Sequence, residues 1–264
     1  MRARKSLGQH FLRSEAAADK MVEVVEAGWR DIVVEAGPGK GALTKNLLAA
    51  SREVIAVEKD ERLVLYLQLK FRKEIAAGKL NLIGGDILEF QPSALRLKTG
   101  GYKVAANIPY YITGKFLRHF LSEVEQPSMM ALMLQKEVAD RIMATDGKES
   151  LLSLSVKAYG KPFIAARVPA GAFSPSPKVD SAVVLIRNIS RDRFKDAEME
   201  GRFFKIIHAG FRSKRKKLSG NLKTLFGETV KAALAASGVD ENARAEDVPI
   251  EKWLRLASFI NKNP

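Results

Sequence analysis

The chain has 264 residues, 46% hydrophobic and 28% charged, which suits one large domain or a large domain with a smaller one attached. It contains no cysteine, which excludes disulfides, thiolate metal sites and cysteine nucleophiles, and no apolar run approaches the roughly 20 residues needed to span a bilayer. Lys and Arg total 44 against 30 Asp and Glu, a net charge of +14, and an excess of this size points to a polyanionic partner.

In chain order, the pattern predicts an amphipathic helix over 14–28, capped by Ser14, then an apolar strand over 31–36 running into a glycine-rich turn. A helix over 41–50, a strand over 53–58, a helix over 60–71 and strands over 79–83 and 103–106 follow. Next come a helix over 113–123, a buried strand over 129–134, helices over 135–145 and 149–159, and strands over 163–168 and 179–189. Strands alternating with helices imply an α/β fold with a mostly parallel sheet covered on both faces. The charged stretch Ser190-Arg191-Asp192-Arg193 reads as a linker. Beyond it the pattern is helical, over 198–211, 214–226, 228–237 and 249–263, with Gly238 suited to a helix end and Pro249 to a helix start. Two domains are expected, 1–190 and 191–264.

The strongest local signal is Val33-Val34-Glu35-Ala36-Gly37-Pro38-Gly39-Lys40-Gly41, an apolar strand entering a Gly-x-Gly-x-Gly turn before a helix. Glycines let the backbone turn tightly and a ligand approach without meeting a Cβ. The spacing is neither that of a dinucleotide-binding Gly-x-Gly-x-x-Gly turn nor that of a P-loop. It suits a nucleoside with an amino-acid tail, the shape of S-adenosylmethionine, bound at Gly37 and Gly39. Glu58 ends the next strand, where its carboxylate can accept from both ribose hydroxyls, and Asp86 follows the third strand, where it can accept from the adenine amine of the cofactor. No metal site is expected.

Asn107-Ile108-Pro109-Tyr110 follows the fourth strand. The lone pair of an adenine N6 amine is delocalised into the ring, so the nitrogen is a poor nucleophile. Two acceptors gripping its N–H bonds favour a more tetrahedral nitrogen and free the lone pair. The Asn107 side-chain oxygen and the backbone carbonyl of Ile108 or Pro109 can form that pair, with proline fixing the chain. Tyr110 can stack on an extruded base. The basic residues cluster twice, at Arg2, Arg4, Lys5 and Arg13, and at Arg212, Lys214, Arg215, Lys216, Lys217 and Lys223, with no acid among either group. Both clusters suit a nucleic-acid backbone. His119 and His208, on predicted helices, are expected to pack or face solvent rather than to catalyse.

These motifs, with Lys5-Ser6-Leu7-Gly8-Gln9-His10-Phe11-Leu12, Leu134-Gln135-Lys136-Glu137-Val138, the run over 173–184 and the basic segment over 211–218, resemble the ribosomal RNA adenine dimethyltransferases of the KsgA type nearly end to end. The resemblance implies a Rossmann-like class I methyltransferase domain with a small all-helical C-terminal domain that contacts RNA through Arg212, Lys214, Arg215, Lys216 and Lys217. It implies that His10 and Leu12 line the cofactor pocket with Gly37, Glu58, Asp86 and Asn107, and that Phe173 sandwiches the target adenine opposite Tyr110. It further implies S-adenosylmethionine-dependent transfer of two methyl groups to each of two adjacent adenosines near the 3′ end of small-subunit (16S) rRNA. The expected partner is that rRNA within an immature 30S particle, and the expected protein is a cytoplasmic monomer. The chain departs from the family at His10, often Asn, at Ile108, commonly Leu, and at Lys217 and Ser219-Gly220 in the basic segment. A macrolide-resistance type enzyme acting on large-subunit rRNA, and a non-catalytic nucleic-acid-binding protein of the same fold, are the alternatives.

Overall fold

The computed structural model describes residues 4, 8–122 and 125–259, with the backbone alone at Tyr110. Arg2, Lys5 and the Tyr110 side chain, all singled out above, lie outside what is described, as do the last residues of the helices expected over 113–123 and 249–263. The strands among the described residues are β1 (Phe11–Leu12), β2 (Ile32–Ala36), β3 (Glu53–Glu58), β4 (Leu80–Gly84), β5 (Lys103–Asn107), β6 (Met129–Gln135), β7 (Lys161–Val168), β8 (Phe173–Ser174) and β9 (Ser181–Arg187). The helices are α1 (Glu15–Val24), α2 (Ala42–Ala50), α3 (Glu61–Lys70), α4 (Arg72–Ala76), α5 (Thr113–Ser122), α6 (Lys136–Met143), α7 (Leu151–Lys157), α8 (Ala197–Gly210), α9 (Leu218–Phe226), α10 (Val230–Ala236) and α11 (Ile250–Phe259).

The chain divides into two compact units, the first comprising Met1–Ala139 and Lys161–Ile189, the second Asp140–Gly160 and Ser190–Pro264. The expected linear division at 190 differs in one respect. The segment 140–160 leaves the sheet and joins the second unit, a non-local partition that periodicity does not encode.

The first unit is built on a seven-stranded sheet in the order β4-β3-β2-β5-β6-β9-β7. β2 to β6 pair in parallel, and β9 runs antiparallel to both of its neighbours. Val33, Val34, Val54, Ala105, Ala131 and Met133 are fully buried, as expected of strands covered on both faces. Met21 on α1 and Leu47 on α2 pack into the same core, and each such large side chain contributes about 1.5–3 kcal/mol by leaving water. The chain passes from β2 outward to β3 and β4 on one side, then crosses to β5 on the other. The carboxyl ends of β2 and β5 thus flank the switch point where open α/β sheets bind ligands. A separate two-stranded sheet pairs β1 with β8, Leu12 opposite Phe173.

In the second unit, Trp253 of α11 is fully buried and donates its indole N–H to the Val248 carbonyl at 2.9 Å. Gly210 lets it approach α8, since a Cβ there would lie 2.4 Å from the indole ring. Tyr159, Phe194, Phe203 and Phe204 form an adjoining aromatic cluster. Ser150 and Ser153 form a reciprocal capping box that starts α7 at Leu151, inside the expected 149–159.

Candidate cofactor and acceptor site

A cavity of about 310 Å³ opens at the carboxyl ends of β2, β3 and β5, within the first unit. The glycine turn forms one wall, with φ of +67°, +60° and +74° at Gly37, Gly39 and Gly41. A Cβ at Gly41 would lie 2.5 Å from the Phe71 ring, so this glycine is required by packing as well as by backbone conformation. A Cβ at Gly37 would meet nothing nearer than 4.0 Å, so here the missing side chain leaves space at the cavity wall.

Glu58 is 6% exposed and ties the site together. One carboxylate oxygen accepts from Gly39 N–H at 3.1 Å and the other from Asp60 N–H at 2.9 Å. Burial raises its carboxyl above the ordinary value, partly offset by these backbone donors. Glu58 therefore holds the glycine turn, a role not read from the sequence. Asp86 also lines the cavity, but its oxygens already accept from Lys59 Nζ at 2.7 Å and Leu88 N–H at 3.0 Å. Burial opposes its ionisation, yet these donors outweigh burial and hold its carboxyl below the usual value. A ligand amine at Asp86 must share the carboxylate with Lys59.

The Asn107 amide nitrogen donates to the His10 carbonyl at 3.1 Å. A carbonyl only accepts, so the amide orientation is set and Oδ1 is left as an acceptor. His10 Nδ1 lies 2.7 Å from the Pro175 carbonyl and must carry the proton for the same reason. Pro109 accepts from Ile112 N–H at 3.2 Å in the turn that follows. His10, Leu12, Gly37, Gly39, Glu58, Asp86, Asn107, Ile108 and Pro109 all line the one cavity.

Phe173 is not among those lining residues. It is 3% exposed and packed in the core of the first unit, paired with Leu12 across the small sheet. Stacking on a target adenine, the role expected of it, would require this ring to leave its apolar neighbours. Three other residues carry roles that the sequence did not suggest. Tyr111, 64% exposed, lines the cavity and covers Gly8. Gln9 donates to buried Asp60 at 3.1 Å, and Asp60 also takes two bonds from the Arg62 guanidinium, which holds its carboxyl well below the usual range. Asp60 thereby anchors the N-terminal segment beside the cavity. Its place at the start of a predicted helix was the available signal.

In the second unit, Arg212, Lys214, Arg215, Lys216 and Lys217 are all exposed, and among the described residues none is in an ion pair. They lie in the turn between α8 and α9 rather than within the helix expected over 214–226. Four consecutive cations repel one another and oppose the positive end of a helix dipole, so α9 begins only at Leu218. Buried Asn221 holds this turn by donating to the carbonyls of Gly210 at 2.6 Å and Ser213 at 3.0 Å. His208 is exposed near the end of α8, and His119 is half-buried beside the Phe90 carbonyl, neither at the cavity.

The parallel sheet with its switch-point cavity and the antiparallel β9 define a Rossmann-like class I methyltransferase. The model of the family described as ribosomal RNA adenine dimethylase matches residues 1–262, and the chain belongs to that family. It is 40% identical to a ribosomal RNA small subunit methyltransferase A of Dehalococcoides mccartyi, over 100% of this chain and 90% of the relative. It is also 40% identical to the protein of that name from Synechococcus elongatus, over 98% and 96% of the two chains. Among solved structures, the 23S rRNA methyltransferase ErmE superposes with a TM-score of 0.77 at 26% identity, covering 95% of this chain and 99% of that one. A dimethyladenosine transferase from Plasmodium falciparum superposes with a TM-score of 0.78 at 23% identity, covering 96% and 98%, which shows the shared fold. The cofactor of this family is S-adenosylmethionine. The cavity fits it: the open wall at Gly37, the carboxylates of Glu58 and Asp86 and the Asn107 amide line one space at the strand ends.

Proposed function

We propose that the enzyme dimethylates N6 of two adjacent adenosines near the 3′ end of small-subunit rRNA, in the cytoplasm, on an immature small-subunit particle. The observation that carries this reading is the orientation of Asn107, whose bond to His10 leaves an acceptor oxygen at the cavity. The relatives named for the small subunit, at 40% identity, support the choice of subunit over the 26% identical structure named for 23S rRNA.

Bound in the cavity, S-adenosylmethionine supplies an electrophilic methyl group. Gly37 and Gly39 shape its wall, and Glu58 and Asp86 offer carboxylates to its ribose and adenine. Asn107 Oδ1 and a backbone carbonyl accept the two N–H bonds of the target amine and orient its lone pair. Ile108 is the better source of that carbonyl, since Pro109 already accepts from Ile112. The proton leaves to solvent after transfer, so no dedicated base is required. Tyr110 and exposed Tyr111 are the aromatics available for a base. The exposed cations between α8 and α9 hold RNA phosphates. Incubation with purified immature particles of each subunit tests the proposal; methylation confined to large-subunit rRNA would overturn it.

A further inference from the structure

Trp29 is 73% exposed, whereas tryptophan is highly buried on average. It sits in the turn between α1 and β2 and does not line the cavity. That turn is held from both sides. Gly28 N–H donates to the Asp31 carboxylate at 2.8 Å, and Asp31 N–H donates to the Gly28 carbonyl at 2.8 Å. Lys103 Nζ on β5 donates to the Asp31 carboxylate at 2.9 Å and to the Glu26 carbonyl at 2.6 Å. The indole is therefore presented on a fixed backbone. The Arg30 guanidinium lies 4.3 Å from the indole centroid and covers one face, so the exposure belongs to the other. Exposed Arg52 flanks the same turn, its backbone N–H donating to the Asp31 carbonyl at 3.0 Å. Asp31, the acid of the turn, is already paired with Lys103.

We propose that Trp29 and Arg30 form a second base-binding platform, which takes an unpaired RNA base on the open indole face with its phosphates beside Arg30 and Arg52. This rests on RNA being the substrate. A rigid aromatic face bordered by cations matches a nucleobase with its attached phosphate, and the net charge of +14 favours a polyanion over an apolar protein surface. Bases within a duplex already stack on one another, so the platform selects unpaired ones. The five residues of β2 rise about 3.3 Å each, which puts the turn at its amino end about 17 Å from the cavity at its carboxyl end. The base on Trp29 therefore belongs to a nucleotide other than the target adenosine.

Trp29 and Trp253 are the two tryptophans of the chain, and Trp253 is fully buried, so quenching of accessible emission reports Trp29. The full chain is titrated with a transcript of the 3′ region of small-subunit rRNA, long enough to span both sites. The transcript should quench the emission of the native protein, and the same transcript annealed to its complement should not. Trp29→Ala should raise the Kd for the transcript, read by filter binding, roughly 5- to 150-fold. Trp29→Phe, which keeps an aromatic ring, should restore most of that affinity while its emission stays constant. Circular dichroism checks that Trp29→Ala is folded, and if it is not, native emission and Trp29→Phe decide. Saturable binding of the transcript with unchanged native emission, or with native affinity in folded Trp29→Ala, overturns the proposal. Quenching by the duplex as strong as by the single strand, or by ribosomal proteins and not by RNA, also overturns it. No saturable RNA binding by the native chain overturns the RNA reading and this inference with it.

Discussion

The side-chain amide of Asn107 and the backbone carbonyl of His10 meet at 3.1 Å, across 97 residues of sequence. That bond points the acceptor end of the amide away from His10 without using the histidine ring. Asn107→Ala should lower kcat by about 10²–10³-fold, the cost of losing one preorganised electrostatic partner. Cofactor binding should fall far less. Single-turnover methylation alongside cofactor calorimetry separates the two, and unchanged dimethylation would remove Asn107 from the acceptor site.

Glu58 secures the glycine turn through Gly39 and the next helix start through Asp60. Glu58→Ala removes two charge-assisted acceptors, and the cofactor Kd should rise roughly ten- to a hundredfold. A Kd within about twofold of native would show that the turn holds its shape without the carboxylate.

Gly41→Ala places a methyl group 2.5 Å from the Phe71 ring at a backbone φ of +74°. Both effects destabilise, together by about 2–4 kcal/mol. Phe71→Leu should recover only the steric part. Chemical denaturation of the single and double variants measures each share.

Glu35 sets a pH dependence of stability. Its carboxyl is raised to about 8 in the fold from an ordinary value of 4.5. Between those values the folded state holds a proton that the unfolded state has lost, so stability falls as pH rises through this window, by up to about 1.4 kcal/mol per pH unit. Glu35→Gln cannot ionise and should flatten that slope without cofactor present. Denaturation midpoints from about pH 5 to 8 test this, and parallel curves for the two proteins would place the charge elsewhere.

Replacing Arg212, Arg215 and Lys216 with Gln should weaken RNA binding and reduce the salt slope by about 2, at roughly 0.7 for each phosphate no longer neutralised. The fold should be unaffected, since all three side chains are exposed. An unaltered slope would take this turn out of the interface.

What the sequence discloses is mostly local. The strand into Gly37-Pro38-Gly39, and the polar residues at strand ends, are patterns within a few residues, and the cavity gathers Gly37, Glu58, Asp86 and Asn107 because a parallel sheet aligns those ends. Pairings between distant segments were not legible. The pairing of Leu12 with Phe173 buries the latter, and Gln9 reaches Asp60 across 51 residues. Neither relation leaves a periodic trace. Hydrophobic spacing also ignores the repulsion among residues 214–217, so α9 starts at Leu218 rather than at 214.

Mass spectrometry of enzyme-treated rRNA at single-nucleotide resolution tests most directly whether the methyl groups fall on adenine N6 of small-subunit rRNA. With S-adenosylmethionine and immature small-subunit particles, two methyl groups should appear on each of two adjacent adenosines near the 3′ end, and none after Asn107→Ala. Methyl groups on another base, on ribose, or only on large-subunit rRNA would contradict it.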